Sequence, residues 1–229
     1  MARATLVGVD IGTTGVRAAV MDERGSVRAR ASEECPHSTP GPGRAEADAE
    51  AWWRAVCAVL ERLALQTPLA QVDAIGVTGQ APTAVLVDDT GAALRPAILW
   101  LDVRAGDEAR AIAAALGPGR AEAIGGNRMH AYYLGPKLAW LRANEPGSLD
   151  RASLVLEPHA FIAWRLAGEA ACDPSTAMLS SPLFDARSRT WSEEGARAVG
   201  LPMRLLPRIA RAHEVIGGVT RSAAAVTGL

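Results

Sequence analysis

The chain has 229 residues, 49% hydrophobic and 21% charged, with Lys+Arg 24 against Asp+Glu 25. That length buries a full core as one large domain or two small ones, and the balanced charge excludes a basic track for nucleic acid or an anionic membrane, leaving a small neutral or polyol-like ligand as the better fit. Cys35, Cys57 and Cys172 are odd in number, widely spaced and form no C-x-x-C pair, which argues against a disulfide framework and a zinc site and points to a reducing cytoplasm.

No basic segment followed by a long apolar stretch opens the chain, so no signal peptide is expected, and no window reaches the roughly 18 unbroken apolar residues of a membrane helix. Thr5 to Val9 is β-branched and apolar, Ile11-Gly12-Thr13-Thr14-Gly15 supplies turn chemistry, and Val16 to Met21 resumes as a second strand. After a turn at Asp22-Glu23-Arg24-Gly25, Ser26 to Ser32 alternates as a half-exposed third strand, so three antiparallel strands open the fold. Ser38 to Gly43 is loop, and Asp48 is placed to cap a helix with Trp52, Val56, Val59, Leu60 and Leu63 on one face.

Ala74 to Thr78 reads as a buried strand, Gly79 to Pro82 as loop, and Thr83 to Val87 as a strand closed by Asp88-Asp89-Thr90-Gly91. Ala97 to Leu101 is a short apolar run ending at Asp102. Helical spacing follows over Val103 to Leu116, Leu134 to Ala143 and His159 to Leu166, with Leu154 to Leu156 as one further central strand. Strands first, then alternating helix and strand, predict an α/β or α+β layered domain.

The chemistry concentrates in Asp10-Ile11-Gly12-Thr13-Thr14-Gly15-Val16-Arg17. Glycines let backbone amides approach phosphate oxygens, Thr13 and Thr14 add hydroxyl donors, Asp10 would face a Mg²⁺ bridging the phosphates, and Arg17 could add charge-assisted bonds. The segment is neither a Walker A loop nor G-x-G-x-x-G. The competing account is a plain hairpin turn with a solvated carboxylate. His37, His130, His159 and His213 have no metal-ligand spacing, and Ser153 and Ser181 lack a nucleophile elbow.

Val7 to Thr14 with the turn Met21 to Gly25, then Trp52-Trp53, Ile75 to Gln80, Arg95 to Arg104, Gly135 to Leu141, and Leu154 through Asp173 and Ser175 together resemble the FGGY family of carbohydrate kinases, nearest its xylulokinases. The resemblance implies a ribonuclease-H-like domain over residues 1–229, a mixed sheet flanked by helices, as the first of two domains with the site between them. It further implies ATP and Mg²⁺ as cofactors, a sugar or polyol as substrate, Asp10 at the metal, and Gly12, Thr13, Thr14 and Arg17 at the phosphates. Gln80, Ala81, Asp102 and Tyr132 would meet the sugar, and Trp100 could wall its pocket.

The catalytic Asp of such kinases would lie beyond Leu229, so this segment alone is expected to be inactive, and its bared cleft wall offers a surface for a homodimer. Ala81-Pro82 stands where relatives carry Arg-Glu or Met-His. For Gln80, Asp102 and Tyr132 the competing roles are a loop-satisfying amide, a helix N-cap and a packed aromatic. A non-catalytic sugar or nucleotide sensor on the same fold is the alternative function; a ribonuclease-H-type nuclease lacks a basic track.

Overall fold

Residues 4–229 are described by a computed structural model, in which the alternating pattern at the start of the chain becomes β1 (Thr5–Ile11), β2 (Gly15–Asp22) and β3 (Val27–Glu34), consecutive and antiparallel as expected. Val7, Val9 and Ile11 point from β1 into the core. The intervening side chains face outward, since successive strand residues alternate faces. After the short β4 (Glu46–Ala47), α1 (Ala49–Ala64) begins at Asp48, whose side chain accepts from the Glu50 amide. Such a cap contributes about 1 kcal/mol. The fully buried Trp52, Val56, Val59, Leu60 and Leu63 lay α1 against β2 and β3. β5 (Ala74–Gly79) then joins β1 in parallel, giving the order β3-β2-β1-β5.

The next elements are β6 (Val85–Val87), β7 (Ala97–Ile98), α2 (Gly106–Leu116), α3 (Arg120–Gly125), α4 (Leu134–Asn144), α5 (Pro146–Asp150), β8 (Leu154–Leu156) and α6 (Pro158–Ala167). β9 (Ala171–Cys172), α7 (Pro174–Ala177), β10 (Phe184–Asp185), β11 (Thr190–Trp191), α8 (Glu193–Val199), β12 (Arg208–Ile209) and α9 (Arg221–Thr227) complete the described order. The apolar run Leu154 to Leu156, expected as one further central strand, forms a strand that pairs antiparallel with β6 in a two-stranded ribbon. It is apolar throughout because the ribbon lies between two cores. Val85, Val87 and Leu156 belong to the core beneath the sheet, α1 and α6, whereas Leu86 and Val155 belong to a second core with Leu134, Leu138 and Leu141 of α4.

The helix expected from Val103 starts at Gly106, because the Asp102 carboxylate accepts the Arg104 amide in a turn and Ala105, the N-cap, offers no side-chain bond. Among the described residues no helix is long and apolar enough to cross a membrane.

Candidate functional site

The β1–β2 hairpin places Asp10 directly across from Arg17. Their side chains are 45% and 66% exposed, and Arg17 Nη1 lies 3.7 Å from Asp10 Oδ2, so the pair is held open to solvent rather than locked together. Between them sits Gly12. A Cβ added there would crowd Gly15 O at 3.0 Å and would occupy the space beside Arg17 Nη1 and Asp10 Oδ2, at 3.4 and 3.9 Å, which glycine leaves clear. The Gly12 amide closes the turn onto Gly15 O, while no described residue accepts from the amides of Thr13 or Thr14. Gly15 serves the packing of the sheet instead. Its Cβ would stand 2.5 Å from Glu33 O, so the close approach of β3 requires glycine.

Two amides without a described acceptor and two hydroxyls lie in one turn with a guanidinium and one carboxylate beside it, a set of groups that would suit an anion carrying a divalent cation. Among the described residues no three His, Cys, Asp or Glu side chains converge as a metal cage. A cation taken here would therefore rely on Asp10, phosphate oxygens and water, the ligand set Mg²⁺ prefers.

Two side chains from later segments fasten onto this turn. Gln80 Nε2 donates to Gly12 O at 3.3 Å and its backbone amide to Ile11 O, while Trp100 Nε1 donates to Thr13 Oγ1 at 3.1 Å. Trp100 remains 41% exposed, leaving much of its ring uncovered. Gln80 thus does satisfy a loop, although its Oε1 is buried with no described partner.

Asp102, expected to meet the sugar, is placed otherwise. Its carboxylate is fully buried, accepts from the Ala45 amide at 2.7 Å, and is bidentate to Arg104. Burial works against the Arg104 charge, but Asp102 and Glu46 more than offset it and hold the guanidinium protonated. The chain of charges continues from Glu46 through Arg95 to Glu145. With its oxygens engaged inside this network, Asp102 has none turned to a ligand. Tyr132 stands between His130 and Tyr133, with ring centroids 4.9 and 4.3 Å away. Ala81 is half-buried and Pro82 buried, following Gln80 in the same loop.

Sequence reasoning gave no role to a second group around that loop. Lys137 Nζ donates to Pro82 O at 2.9 Å, and Glu157 Oε2 accepts from the Thr83 amide at 2.7 Å, both side chains sealed from solvent. Burial pushes the Lys137 ammonium down, opposed by the Glu157 charge, and pushes the Glu157 carboxyl up, opposed by its bond from the Thr83 amide and by the Lys137 charge. Burial likewise lowers His159, whose Nε2 is 3.9 Å from Asp173 Oδ2, too far for a hydrogen bond. A cavity of about 450 Å³ runs along β5 from Ile75 to Gly79 and is bounded by His159, Asp173 and Arg211, with none of the hairpin residues in its wall. A lysine within the apolar run Gly135 to Leu141 and a glutamate closing Leu154 to Leu156 are the signals that mark the first pair.

Residues 5–229 match the N-terminal domain of the FGGY family of carbohydrate kinases. The chain is 33% identical over 223 residues to the xylulose kinase of Escherichia coli (strain K12), covering 97% of this chain and 46% of that protein. It is 31% identical over 225 residues to a glycerol kinase of Nocardia farcinica (strain IFM 10152), covering 95% and 45%. The crystal structure of xylulose kinase from Rhodospirillum rubrum superposes with a TM-score of 0.92 at 33% identity, covering 98% of this chain and 47% of that one. The mixed sheet with its flanking helices is thus the ribonuclease-H-like layout of sugar kinases, and the chain spans about half the length of the curated relatives it matches.

Proposed function

Because the chain belongs to the FGGY family of carbohydrate kinases, we propose that the protein containing it transfers a phosphoryl group from ATP to a hydroxyl of a sugar or polyol, with a xylulose-like ketose as first candidate. Residues 1–229 form the N-terminal, sugar-holding domain, and a second domain of the kind that fills the other half of its relatives supplies the rest of the site. The observation that carries this is the cleared space at Gly12 between Asp10 and Arg17, fastened to the sugar-side loop by Gln80 and Trp100.

Phosphoryl transfer demands positioning and charge neutralisation more than covalent chemistry. Mg-bound ATP supplies the electrophilic phosphorus and the ion that spreads its charge. The Thr13 and Thr14 amides and hydroxyls hold phosphate oxygens, Arg17 neutralises them, and Asp10 holds the metal directly or through water. Gln80, Ala81 and Tyr132 line the sugar side, with the Trp100 ring as a wall, and Asp102 acts one step removed by fixing Arg104 and the Ala45 backbone. The hydroxyl proton goes to an aspartate of the second domain, so this segment alone has negligible activity.

Closure of the two domains would exclude water and keep ATP from hydrolysis. The three free cysteines suit a cytoplasmic enzyme, and the uncovered cleft wall of an isolated segment suits homodimerisation. A second reading, a non-catalytic sugar or nucleotide sensor, draws on Ala81-Pro82, which offers the substrate no polar side chain. Screening the full-length protein for ATP consumption against pentuloses, hexuloses, polyols and sugar acids separates the two. Sugar-dependent ADP release is expected, and a flat panel with retained ligand binding would leave the sensor.

A further inference from the structure

We propose that Lys137 and Glu157 are a pair of positioning residues that grip one peptide unit, Pro82–Thr83, and thereby set where the sugar-side loop presents its backbone. The C=O and N–H of a trans peptide point in opposite directions. Here the carbonyl of that unit accepts from Lys137 Nζ at 2.9 Å while its N–H donates to Glu157 Oε2 at 2.7 Å. A donor at the oxygen and an acceptor at the hydrogen match the sense of the peptide dipole, so the unit is held from both ends by buried side-chain hydrogen bonds.

The loop has few other restraints. Its entry is tied by the Gln80 amide to Ile11 O, and its exit by Ala84, whose amide donates to Ile98 O and whose carbonyl accepts from the Ile98 amide. Between those points Pro82 has no N–H to donate. The two grips come from different directions, Lys137 from α4, which starts two residues after Tyr132, and Glu157 from the N-cap of α6, two residues before His159. The remaining charges that act on the pair are Asp102 and Arg104 on Lys137, and Asp173 on Glu157.

Lysine and glutamate are almost never this deeply buried, and an apolar pair would fill the same volume without desolvating two charges. What the hydrogen-bonding pair adds is direction. That matters here because Ala81 and Pro82 carry no polar side-chain atom. Whatever discrimination Ala81 and Pro82 exert on a sugar must come from backbone groups and shape, and the grip on Pro82–Thr83 fixes both.

This inference rests on the kinase reading, and its test uses the full-length protein with xylulose and glycerol as probes. In Lys137→Met and Glu157→Leu the KM for xylulose should rise on the order of tenfold to a hundredfold, the scale of a misplaced positioning group, with the KM for ATP essentially unmoved and the preference between the two probes eroded. Glu157→Gln keeps an oxygen for the Thr83 amide and should stay close to wild type. Equal changes in the KM for ATP and for sugar, or none in either, or Glu157→Gln behaving like Glu157→Leu, would overturn the proposal while leaving the kinase reading standing. A wild-type protein inert with every sugar would overturn both. If Lys137→Met and Glu157→Leu do not fold, amide exchange at Thr83 in the unmodified protein decides. Exchange as slow as at Leu86 before sugar is added supports the grip, and exchange at the rate of an open loop sinks it.

Discussion

The β1–β2 turn and the Asp102 network use the same chemical parts, aspartate and arginine, to opposite ends. Asp10 and Arg17 are roughly half exposed and 3.7 Å apart, while Asp102 and Arg104 are buried and bidentate. An ion pair in water contributes little to stability because solvent screens it, whereas a buried pair is committed: each charge needs the other. The exposed pair is therefore available to a ligand and the buried one is a fastener, though in the sequence both read simply as Asp and Arg.

Four measurements would break or sharpen that contrast. Asp102→Ala should be the most damaging, leaving the Arg104 charge buried against Glu46 alone and the Ala45 amide without its acceptor. A loss of about 3–5 kcal/mol in chemical denaturation is expected, and a near-neutral result would show that water reaches the network. Asp10→Ala should do the reverse, changing stability by no more than about 0.5 kcal/mol while costing the full-length protein on the order of a hundredfold or more in turnover. Calorimetry with Mg-bound nucleotide alongside a melting curve reads both halves; a large drop in melting temperature would make Asp10 a fastener too.

Gly15→Ala tests the frame of the turn. A Cβ 2.5 Å from Glu33 O should cost about 1–3 kcal/mol by overpacking, visible as a lowered unfolding midpoint. The smallest effect is at Asp173, the cap of α7. Burial works against its charge, yet bonds from Ser175 and Thr176 prevail and hold it below the usual carboxylate range. A depressed folded-state value means stability that is present above the unfolded value of 3.8 and is lost as pH falls below it. Asp173→Ala should remove about 1 kcal/mol near neutral pH and flatten that acid limb. An unchanged limb would assign the acid sensitivity to other carboxylates.

Much of this was legible in the chain. The alternation of Thr5 to Val9, the Gly-Thr turn, the Asp48 cap and the apolar stripe of α1 each rest on neighbours a few residues apart, and all appear where local rules put them. Leu154 to Leu156 was legible as a strand but not as to which sheet it joins, since an apolar run says only that both faces are buried. Lys137 and Glu157 were the hardest, for each meets a peptide group more than 50 residues away. The apolar run before Asp102 marks Trp100 as a pocket wall, but its bond to Thr13, 87 residues distant, is a fact of packing.

The sequence by itself determined the strand and helix periods, the glycines at the turn, the supply of chemical groups at Asp10, Thr13, Thr14 and Arg17, and the family to which they belong. Tertiary structure alone decided which carboxylates are available and which are fastened, because the strength of a charge interaction is set by burial and by the partners that folding brings within about 3 Å. Those distances close between segments whose separation in the chain carries no local signal.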